Sequence, residues 1–308
     1  MLVVLVRVAL VAEALVVAGI ASRLAALGWS AAAAVATPVA ISLAVRLAIV
    51  CFSMAVAHAA RSPRDSSQQL GPAGTVRLVL GEWRAMLANN FFYLPLENVA
   101  LPPEPARSGG GRMAVLVVHG YFSNRGILRG VVRHLAAQGT VPVHTFNFRG
   151  IFAPIDELAS QLASKIDELT GPDGTRRVVL VAHSMGGLVS RAYLARHGAS
   201  RVARLVTLAS PHNGTRLAKL GLGANARQMR EGSEFLESLR RHEGAAGPGC
   251  PVTSIWSVHD NLVSPQDTSR LPYATNVALP GVGHVAILLD PRVHERVAEE
   301  VSAALAAG

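Results

Sequence analysis

The chain of 308 residues contains only two cysteines, Cys51 and Cys250. Cys51 lies in a long apolar stretch near the N-terminus and Cys250 lies far along the chain, so we expect no disulfide between them. The sequence also lacks Cys-x-x-Cys and His-Glu-x-x-His, which are common spacings of metal ligands. We therefore expect neither a metal ion nor a cofactor.

The basic residues are not gathered into one block. The formal net charge is +9, with 29 Lys and Arg against 20 Asp and Glu, but these residues are spread along the chain without an interleaved aromatic pattern. Nucleic acid is therefore not an expected partner. Two interpretations of the charge stay open, namely attraction to an anionic membrane surface and an ordinary solvated basic surface.

Two long apolar runs, residues 2–28 and 31–60, begin the chain. Each exceeds the roughly 20 residues that a helix needs to cross the core of a bilayer, and nearly every face of each run is apolar. No basic segment precedes the first run, which argues against a cleaved signal peptide. We predict a transmembrane helical hairpin over residues 1–60, the alternative being a buried helical pair in a soluble protein.

Glu13 and Arg46 lie near the middles of these two runs. A hairpin folded about Trp29 and Ser30 places them at the same depth, where a lone charge would be costly. The sequence therefore predicts that they form an ion pair. More arginines lie near the ends of the runs than near the turn, so the positive-inside rule favours a cytoplasmic location for the rest of the chain.

Residues 61–111 are polar and rich in proline and glycine at both ends, which predicts a linker. Within it, "VRLVLGEWRAMLANNFFYLPL" is interpreted as an amphipathic helix that lies along the membrane or the following domain.

Residues 112–308 alternate between apolar β-type runs and helical patterns. The predicted strands are residues 113–118, 141–148, 178–183, 204–209, 252–258 and 276–279, and the predicted helices are residues 126–138, 155–170, 186–197 and 291–306. This alternation predicts an α/β fold with a mostly parallel central sheet covered by helices. Ligands of such sheets bind at the carboxyl ends of the strands.

Ser184 follows one of these strands in the stretch "VVLVAHSMGG". Gly186 permits a sharp turn into the next helix, and Ala182 is small enough to pack where strand and helix meet. The pattern is that of a nucleophile elbow in which alanine replaces the first glycine of Gly-x-Ser-x-Gly. Taken alone, it could equally be a turn of small residues after a buried strand.

A serine becomes a nucleophile when a base takes its proton and an acid orients that base. In this fold the order along the chain is Ser, then Asp or Glu, then His. Asp260 is the acid that directly ends a later strand, and His284 lies in a glycine-containing loop after the last strand, whereas His294 falls in the closing amphipathic helix. The predicted triad is Ser184, Asp260 and His284.

The oxyanion hole of such a site needs two backbone N–H groups. We assign them to Met185, directly after the nucleophile, and to Tyr121, in the loop after the first strand. His119 precedes the serine in the chain, which favours an orienting or packing role. His183 lies beside the nucleophile and is expected to point away from the oxyanion hole.

The stretches "VVHGYFSN", "VAHSMGGLVSRAYL", "LVTLASPHNGT", "SVHDNLVSP" and "GVGHVAILLD" together resemble the bacterial triacylglycerol lipase and esterase family of α/β-hydrolases, over roughly residues 112–305. The resemblance implies a carboxylic ester hydrolase that works through an acyl-enzyme on lipid-like or apolar acyl esters. It also implies the same triad and the same two oxyanion donors.

The sequence departs from that family in several places. Larger members bind calcium through an aspartate two residues after the catalytic histidine, where this chain has Ala286, so we expect no calcium. Residues 211–249 are longer than the smallest lipases need and are interpreted as a partial lid. Secreted lipases do not have an apolar N-terminal segment of this kind. The segment therefore predicts an enzyme that is tethered to a membrane, which would be the inner membrane if the source is bacterial.

Two other functions stay open from the sequence. The same triad would serve an acyltransferase or a thioesterase, and a catalytically idle scaffold would keep the fold without the chemistry. The sequence indicates nothing about oligomeric state.

Overall fold

The computed structural model describes residues 2–105, 112–171 and 176–307. The last part of the predicted linker, residues 106–111, lies outside the described residues. So do Met1, at the start of the predicted hairpin, and Gly308, at the end of the predicted catalytic domain.

The N-terminal helices α1 (Leu2–Ala26) and α2 (Ala31–Ala59) pack against each other as a hairpin. Both are long and apolar enough to cross a membrane. Arg46 Nη2 lies 2.6 Å from Glu13 Oε2 and Nη1 lies 2.8 Å from Oε1, and the Ser42 hydroxyl also donates to the Glu13 carboxylate. The predicted pairing of these two charges between the helices is confirmed.

The segment after the hairpin forms helix α3 (Pro72–Ala88), which continues into one turn of π-helix at Asn89–Tyr93. The short helix α4 (Glu97–Ala100) follows. One face of α3 carries the buried residues Leu78, Glu82 and Ala85, whose spacing places them on one side of a helix. On another side, Trp83 Nε1 donates to the Leu43 carbonyl of α2 across 3.2 Å. Helix α3 thus lies between the hairpin and the rest of the chain.

The described part of the distal region forms one six-stranded sheet in the order β2-β1-β3-β4-β5-β6, and every neighbouring pair is parallel. The strands are β1 (Met113–Val118), β2 (Val143–Thr145), β3 (Arg177–His183), β4 (Val202–Leu208), β5 (Val252–Ser257) and β6 (Thr275–Leu279). The helices are α5 (Arg129–Gln138), α6 (Ile155–Thr170), α7 (Met185–His197), α8 (Gly223–Gln228), α9 (Glu234–Glu243) and α10 (Pro291–Ala306).

Helices cover both faces of this sheet. In β3, Val178 and Leu180 belong to a core shared with α6 and α7, whereas Val179 and Val181 belong to a second core shared with α5 and α10. A strand that is buried on both faces carries apolar residues without alternation. This explains the continuous apolar run that leads to Ser184 and confirms the predicted α/β architecture.

Two elements differ from the sequence-based prediction. Strand β2 ends at Thr145 instead of extending to residue 148, because the chain leaves the sheet edge there and Phe146 and Phe148 pack into the core beside α6. Residues 211–249, interpreted as a partial lid, form two helices, α8 and α9, which are not among the predicted helices. Gly232 lies between these two helices, and its φ of 70° is not compatible with a continuous helix.

Candidate active site

Ser184 lies at the turn between β3 and α7. Its φ of 55° and ψ of −125° are unusual for a residue with a side chain, and such strain is frequent at functional sites. A Cβ atom on Gly186 would come within 2.8 Å of the His119 carbonyl oxygen, and one on Gly187 within 2.3 Å of Ser210 Oγ. The two glycines are therefore needed for space beside β1 and β4, and not for a left-handed backbone.

The structure brings Asp260 and His284 to this turn. His284 Nε2 lies 3.0 Å from Ser184 Oγ, and His284 Nδ1 lies 2.9 Å from Asp260 Oδ2. The Asp260 carboxylate also accepts the N–H groups of Leu262 and Val263, each at 2.7 Å. These bonds hold the carboxylate toward the ring, and the serine, imidazole and carboxylate form one continuous hydrogen-bonded line.

The backbone of His284 is held on both sides. Its N–H donates to Asn261 Oδ1 at 3.0 Å, and its carbonyl oxygen accepts from His183 Nε2 at 3.1 Å. Both partners are buried. The sequence analysis expected His183 to point away from the oxyanion hole, and the structure directs its ring to the loop that carries His284.

Charges around His284 favour its protonated form. Burial opposes a charge on the ring, but Asp260 and, more weakly, Glu82 outweigh it, so the pKa of His284 is raised above its ordinary value of 6.5. The pKa of His183 is well below 6.5, because burial and the neighbouring His284 both disfavour a positive charge on the His183 ring. A base that becomes positive during a reaction would find its charge stabilised here.

The segments expected to supply the oxyanion donors lie together. Met185 opens α7, and the first N–H groups of a helix have no partner within it. A Cβ on Gly120 would come within 2.8 Å of Ser184 Cβ and 3.3 Å of Met185 N, so the backbone before Tyr121 passes directly beside the serine. His119 supports this loop: its Nδ1 bonds the Gly120 carbonyl at 3.0 Å.

His119 is buried and neutral. Burial lowers its pKa to about 4, and its Nε2 accepts the Phe148 N–H at 3.2 Å. Both ring nitrogens are therefore engaged with backbone, in keeping with the orienting or packing role expected from its position in the chain.

Glu82 of α3 is a site residue that the sequence analysis missed. It is 2% exposed, and its carboxylate accepts the N–H groups of Val285, at 3.0 and 3.1 Å, and of Ala286, at 2.9 Å. A Cβ on Gly283 would come within 2.4 Å of the Glu82 Oε2 atom. The carboxylate thus packs under the loop on both sides of His284. Burial raises its pKa, and the two backbone N–H groups oppose that rise.

Helix α2 also reaches this loop. Ser53 Oγ accepts from Asn261 Nδ2 at 2.9 Å, and Asn261 is the residue that binds the His284 N–H. Farther along α2, the Ala57 carbonyl oxygen accepts from Ser264 Oγ at 3.2 Å. The second helix of the hairpin is therefore connected to the histidine loop through one asparagine.

A cavity of about 390 Å³ opens beside Ser184 and His284. Most of its lining is apolar and comes from four places: the end of α3 with the turn after it, the loop after β1, the predicted lid at residues 211–249, and the loop after β5. Representative lining residues are Met86, Leu217, Met229 and Leu262. Tyr121 holds the lid segment in place through two hydrogen bonds. Its hydroxyl donates to the Leu222 carbonyl at 2.9 Å and accepts the Leu222 N–H at 3.0 Å.

No group of three or more His, Cys, Asp or Glu side chains suited to a metal ion occurs among the described residues. At the position where the resembled family has a calcium-binding aspartate, Ala286 offers only its backbone, and its N–H is bound by Glu82.

The comparisons with known proteins agree with the observed fold. A family model described as the alpha/beta hydrolase fold matches residues 114–232. The chain has the α/β-hydrolase fold. The matched part includes Ser184, whereas Asp260 and His284 lie beyond it.

Solved structures of two lipases share this fold. The mature form of the Bacillus licheniformis lipase BlEst2 has 19% sequence identity and a TM-score of 0.53, with 63% of this chain and 93% of that chain covered. Aspergillus fumigatus lipase B has 18% identity and a TM-score of 0.57, with 66% of this chain covered. The match spans 55% of the Aspergillus lipase. At these identities the likeness establishes the fold alone.

Proposed function

We propose that the chain is a membrane-tethered serine hydrolase that cleaves carboxylic esters of lipid-like or apolar acyl groups through an acyl-enzyme. The observation that carries the proposal is the continuous line from Ser184 Oγ through His284 to Asp260, with distances of 3.0 and 2.9 Å. A serine in a strained turn, within reach of a base whose charge is stabilised, is suited to nucleophilic attack.

In the proposed reaction, Ser184 Oγ attacks the ester carbonyl carbon while His284 Nε2 takes the hydroxyl proton. The negative oxygen of the tetrahedral intermediate accepts hydrogen bonds from the backbone N–H groups of Met185 and Tyr121. Asp260 stabilises the positive imidazole. The intermediate collapses, the C–O bond to the alcohol breaks, and His284 returns the proton to the leaving alkoxide. Water then attacks the acyl-enzyme in the same way and releases the acid.

The lining of the cavity beside Ser184 supports an apolar acyl group as the substrate part that binds there. An uncharged hydrocarbon gains by leaving water for such a lining, whereas a charged acyl group would lose hydration without a partner. The end of α3 contributes to this lining, so the proposed acyl site is completed by the segment next to the hairpin.

We further propose the predicted division of the chain into a transmembrane hairpin (residues 1–60), a connecting segment (61–111) and a catalytic domain (112–308). The length and composition of α1 and α2 support the first part. The buried contacts of Glu82 with the histidine loop mean that the connecting segment also contributes to the site. By the positive-inside rule, the proposed location of the catalytic domain is cytoplasmic.

The test is turnover by the purified full chain on p-nitrophenyl esters of increasing acyl length, with Ser184→Ala as the matched control. The proposal predicts hydrolysis that depends on Ser184 and improves from the shortest acyl chains to medium ones. Adding alcohol or thiol acceptors, and replacing esters by acyl thioesters, tests the transferase and thioesterase alternatives. Wild-type protein that is folded but no more active than Ser184→Ala on every substrate would favour an idle scaffold.

A further inference from the structure

A second large cavity, of about 790 Å³, lies on the other side of the Asp260 loop from the proposed acyl site. Its walls are the end of α2, the beginning of α3 and the loop after β5. The residues that bear on its chemistry are His58, Arg61, Arg64, Thr75, His259 and Asp260. This cavity plays no part in the proposed ester hydrolysis.

The basic groups in this cavity have no acidic partner. Among the residues that the structure describes, neither Arg61 nor Arg64 forms an ion pair with a carboxylate, and Arg64 Nε is buried without a hydrogen bond. The nearest interaction of Arg61 is with His58, through Nη1 and the His58 ring at 2.6 Å. Burial and the neighbouring Arg61 lower the pKa of Arg64. Two like charges side by side are stabilised by an anion between them.

His259 also lines this cavity. It is 5% exposed, and its Nδ1 accepts the Gly281 N–H at 3.1 Å. Since Nδ1 is an acceptor, the proton of the neutral ring is on Nε2, and within the described part of the chain Nε2 has no partner. Burial and Arg64 lower the pKa of His259 to about 4, so the ring is neutral near pH 7. A buried N–H donor without an acceptor is costly, and an added acceptor such as a water or an anion would satisfy it.

The beginning of α3 contributes a third positive feature. This helix has 17 residues, and no side chain caps its N-terminus at Gly71. Leu70 and Thr75, on either side of that end, line the cavity. The first N–H groups of a helix and its dipole favour an anion. The two arginines and His259 line one space, and residues just before and after the start of α3 line it as well.

The negative groups near this space are already engaged. The Asp260 carboxylate accepts from His284 and from two backbone N–H groups. Asp267 accepts from Ser62 Oγ at 2.6 Å. Asp65 is exposed and lies next to Arg64 in the chain, but it does not line the cavity. Positive charge and free donors therefore dominate the cavity.

We propose that this cavity binds a phosphate group, with Arg61, Arg64 and the Nε2–H of His259 as its donors. Arginine pairs bind phosphate through several parallel hydrogen bonds. The cavity begins where α2 ends, at Ala59, which is the depth of lipid headgroups if the hairpin crosses a bilayer. A phospholipid headgroup and a free phosphate ion share this chemistry.

The experiment measures binding to the full chain, purified in a maltoside detergent that contains no phosphate, by isothermal titration calorimetry. One arm uses inorganic phosphate and the other a short-chain phosphatidic acid. Arg61→Gln with Arg64→Gln should weaken binding by about tenfold or more, because each lost charge-assisted bond costs about this factor. The matched control is Arg77→Gln with Arg84→Gln, which removes the same charge from exposed positions of α3 outside the cavity.

The two arms distinguish the sources of the phosphate. Binding of the lipid without binding of inorganic phosphate assigns the site to a headgroup, and equal binding of both assigns it to the ion. The proposal is overturned if the wild type binds neither ligand, or if the control pair weakens binding as much as the cavity pair.

A further variant keeps the test decisive if the double arginine variant fails to fold. His259→Asn retains an acceptor for the Gly281 N–H and removes the Nε2–H donor. It should weaken phosphate binding several-fold, with a melting temperature close to that of the wild type. Unchanged affinity in this folded variant would remove His259 from the site and contradict the proposed donor set. Because the readout is binding, it is independent of whether Ser184 hydrolyses esters.

Discussion

At the scale of single residues, the proposed active site depends on how firmly His284 is held. The ring lies between Ser184 and Asp260, and its backbone is bound by Asn261 and His183. The next two N–H groups of the loop are bound by Glu82. This side chain touches neither the serine nor the imidazole in the described contacts, so it acts as a positioning residue.

Glu82→Gln should therefore lower kcat with little change in KM. A glutamine has one acceptor oxygen where the carboxylate uses two, so part of the loop loses its anchor. A displaced base costs on the order of ten- to hundredfold in rate. Since the Glu82 charge raises the pKa of His284, its removal should also move the acidic limb of the kcat/KM profile to lower pH. The measurement is the pH dependence of ester hydrolysis.

The control for this prediction is Glu300→Gln. Glu300 is also a buried carboxylate, but it lies on α10 and pairs with Arg204 and Arg296. Its replacement should leave the pH profile in place. A Glu82 variant with the wild-type profile and the wild-type kcat would show that the loop does not need this carboxylate.

The three residues of the proposed triad could be predicted from the sequence and Glu82 could not, for a physical reason. Ser184, Asp260 and His284 each follow a strand, and parallel strands bring such positions to one edge regardless of their separation in the chain. Glu82 reaches the same edge through a contact between residues 203 positions apart, which leaves no periodic pattern. Its only local sign is a carboxylate on the apolar face of the helix "VRLVLGEWRAML".

At the scale of elements, α1 and α2 are joined by one polar cluster within otherwise apolar surfaces. Glu13, Ser42 and Arg46 form it, and the Arg46 guanidinium also lies 4.7 Å from the centre of the Phe91 ring. The position of this pair could be predicted from the hairpin's symmetry about its turn. The contact with Phe91 could not, because it depends on how α3 and its π-helical turn pack on α2.

Glu13→Gln should reduce the amount of protein inserted in the membrane, because it leaves Arg46 without its partner. A lone arginine at the centre of a span costs about 2.5–3.5 kcal/mol on insertion scales. Combining Glu13→Gln with Arg46→Gln should recover part of the lost protein. Quantitative blots of membrane fractions measure this. If the double variant is as poorly inserted as the sum of the two single variants, the residues do not act as a pair.

At the scale of the whole molecule, the hairpin and the hydrolase domain form a connected structure. Ser53 of α2 reaches the histidine loop through Asn261, and Arg7 of α1 donates from Nε to the Pro95 carbonyl at 2.8 Å. Both contacts lie near the open ends of the hairpin, away from its turn at Gly28. The proposed membrane anchor is therefore held against the rest of the chain near its two ends, in addition to the contacts of Trp83 and Phe91 with the middle of α2.

The orientation of this assembly follows from its arginines. Arg7, Arg61 and Arg64 flank the open ends, and Arg23 lies near the turn, so the catalytic domain should face the cytoplasm. A C-terminal reporter that is active only in the cytoplasm should give signal on the full chain. A reporter that is active only outside the inner membrane should stay silent, and the opposite result would reverse the orientation.

The central claim is that Ser184 is a nucleophile activated by His284 and Asp260. The most direct measurement is covalent labelling of the detergent-purified full chain by a fluorophosphonate, followed by peptide mass spectrometry. The account predicts one adduct, on Ser184, that is absent in Ser184→Ala, together with a loss of turnover on the order of 10⁴-fold or more in that variant. Undiminished labelling of Ser184→Ala, or an adduct of the wild type on another residue, would contradict it.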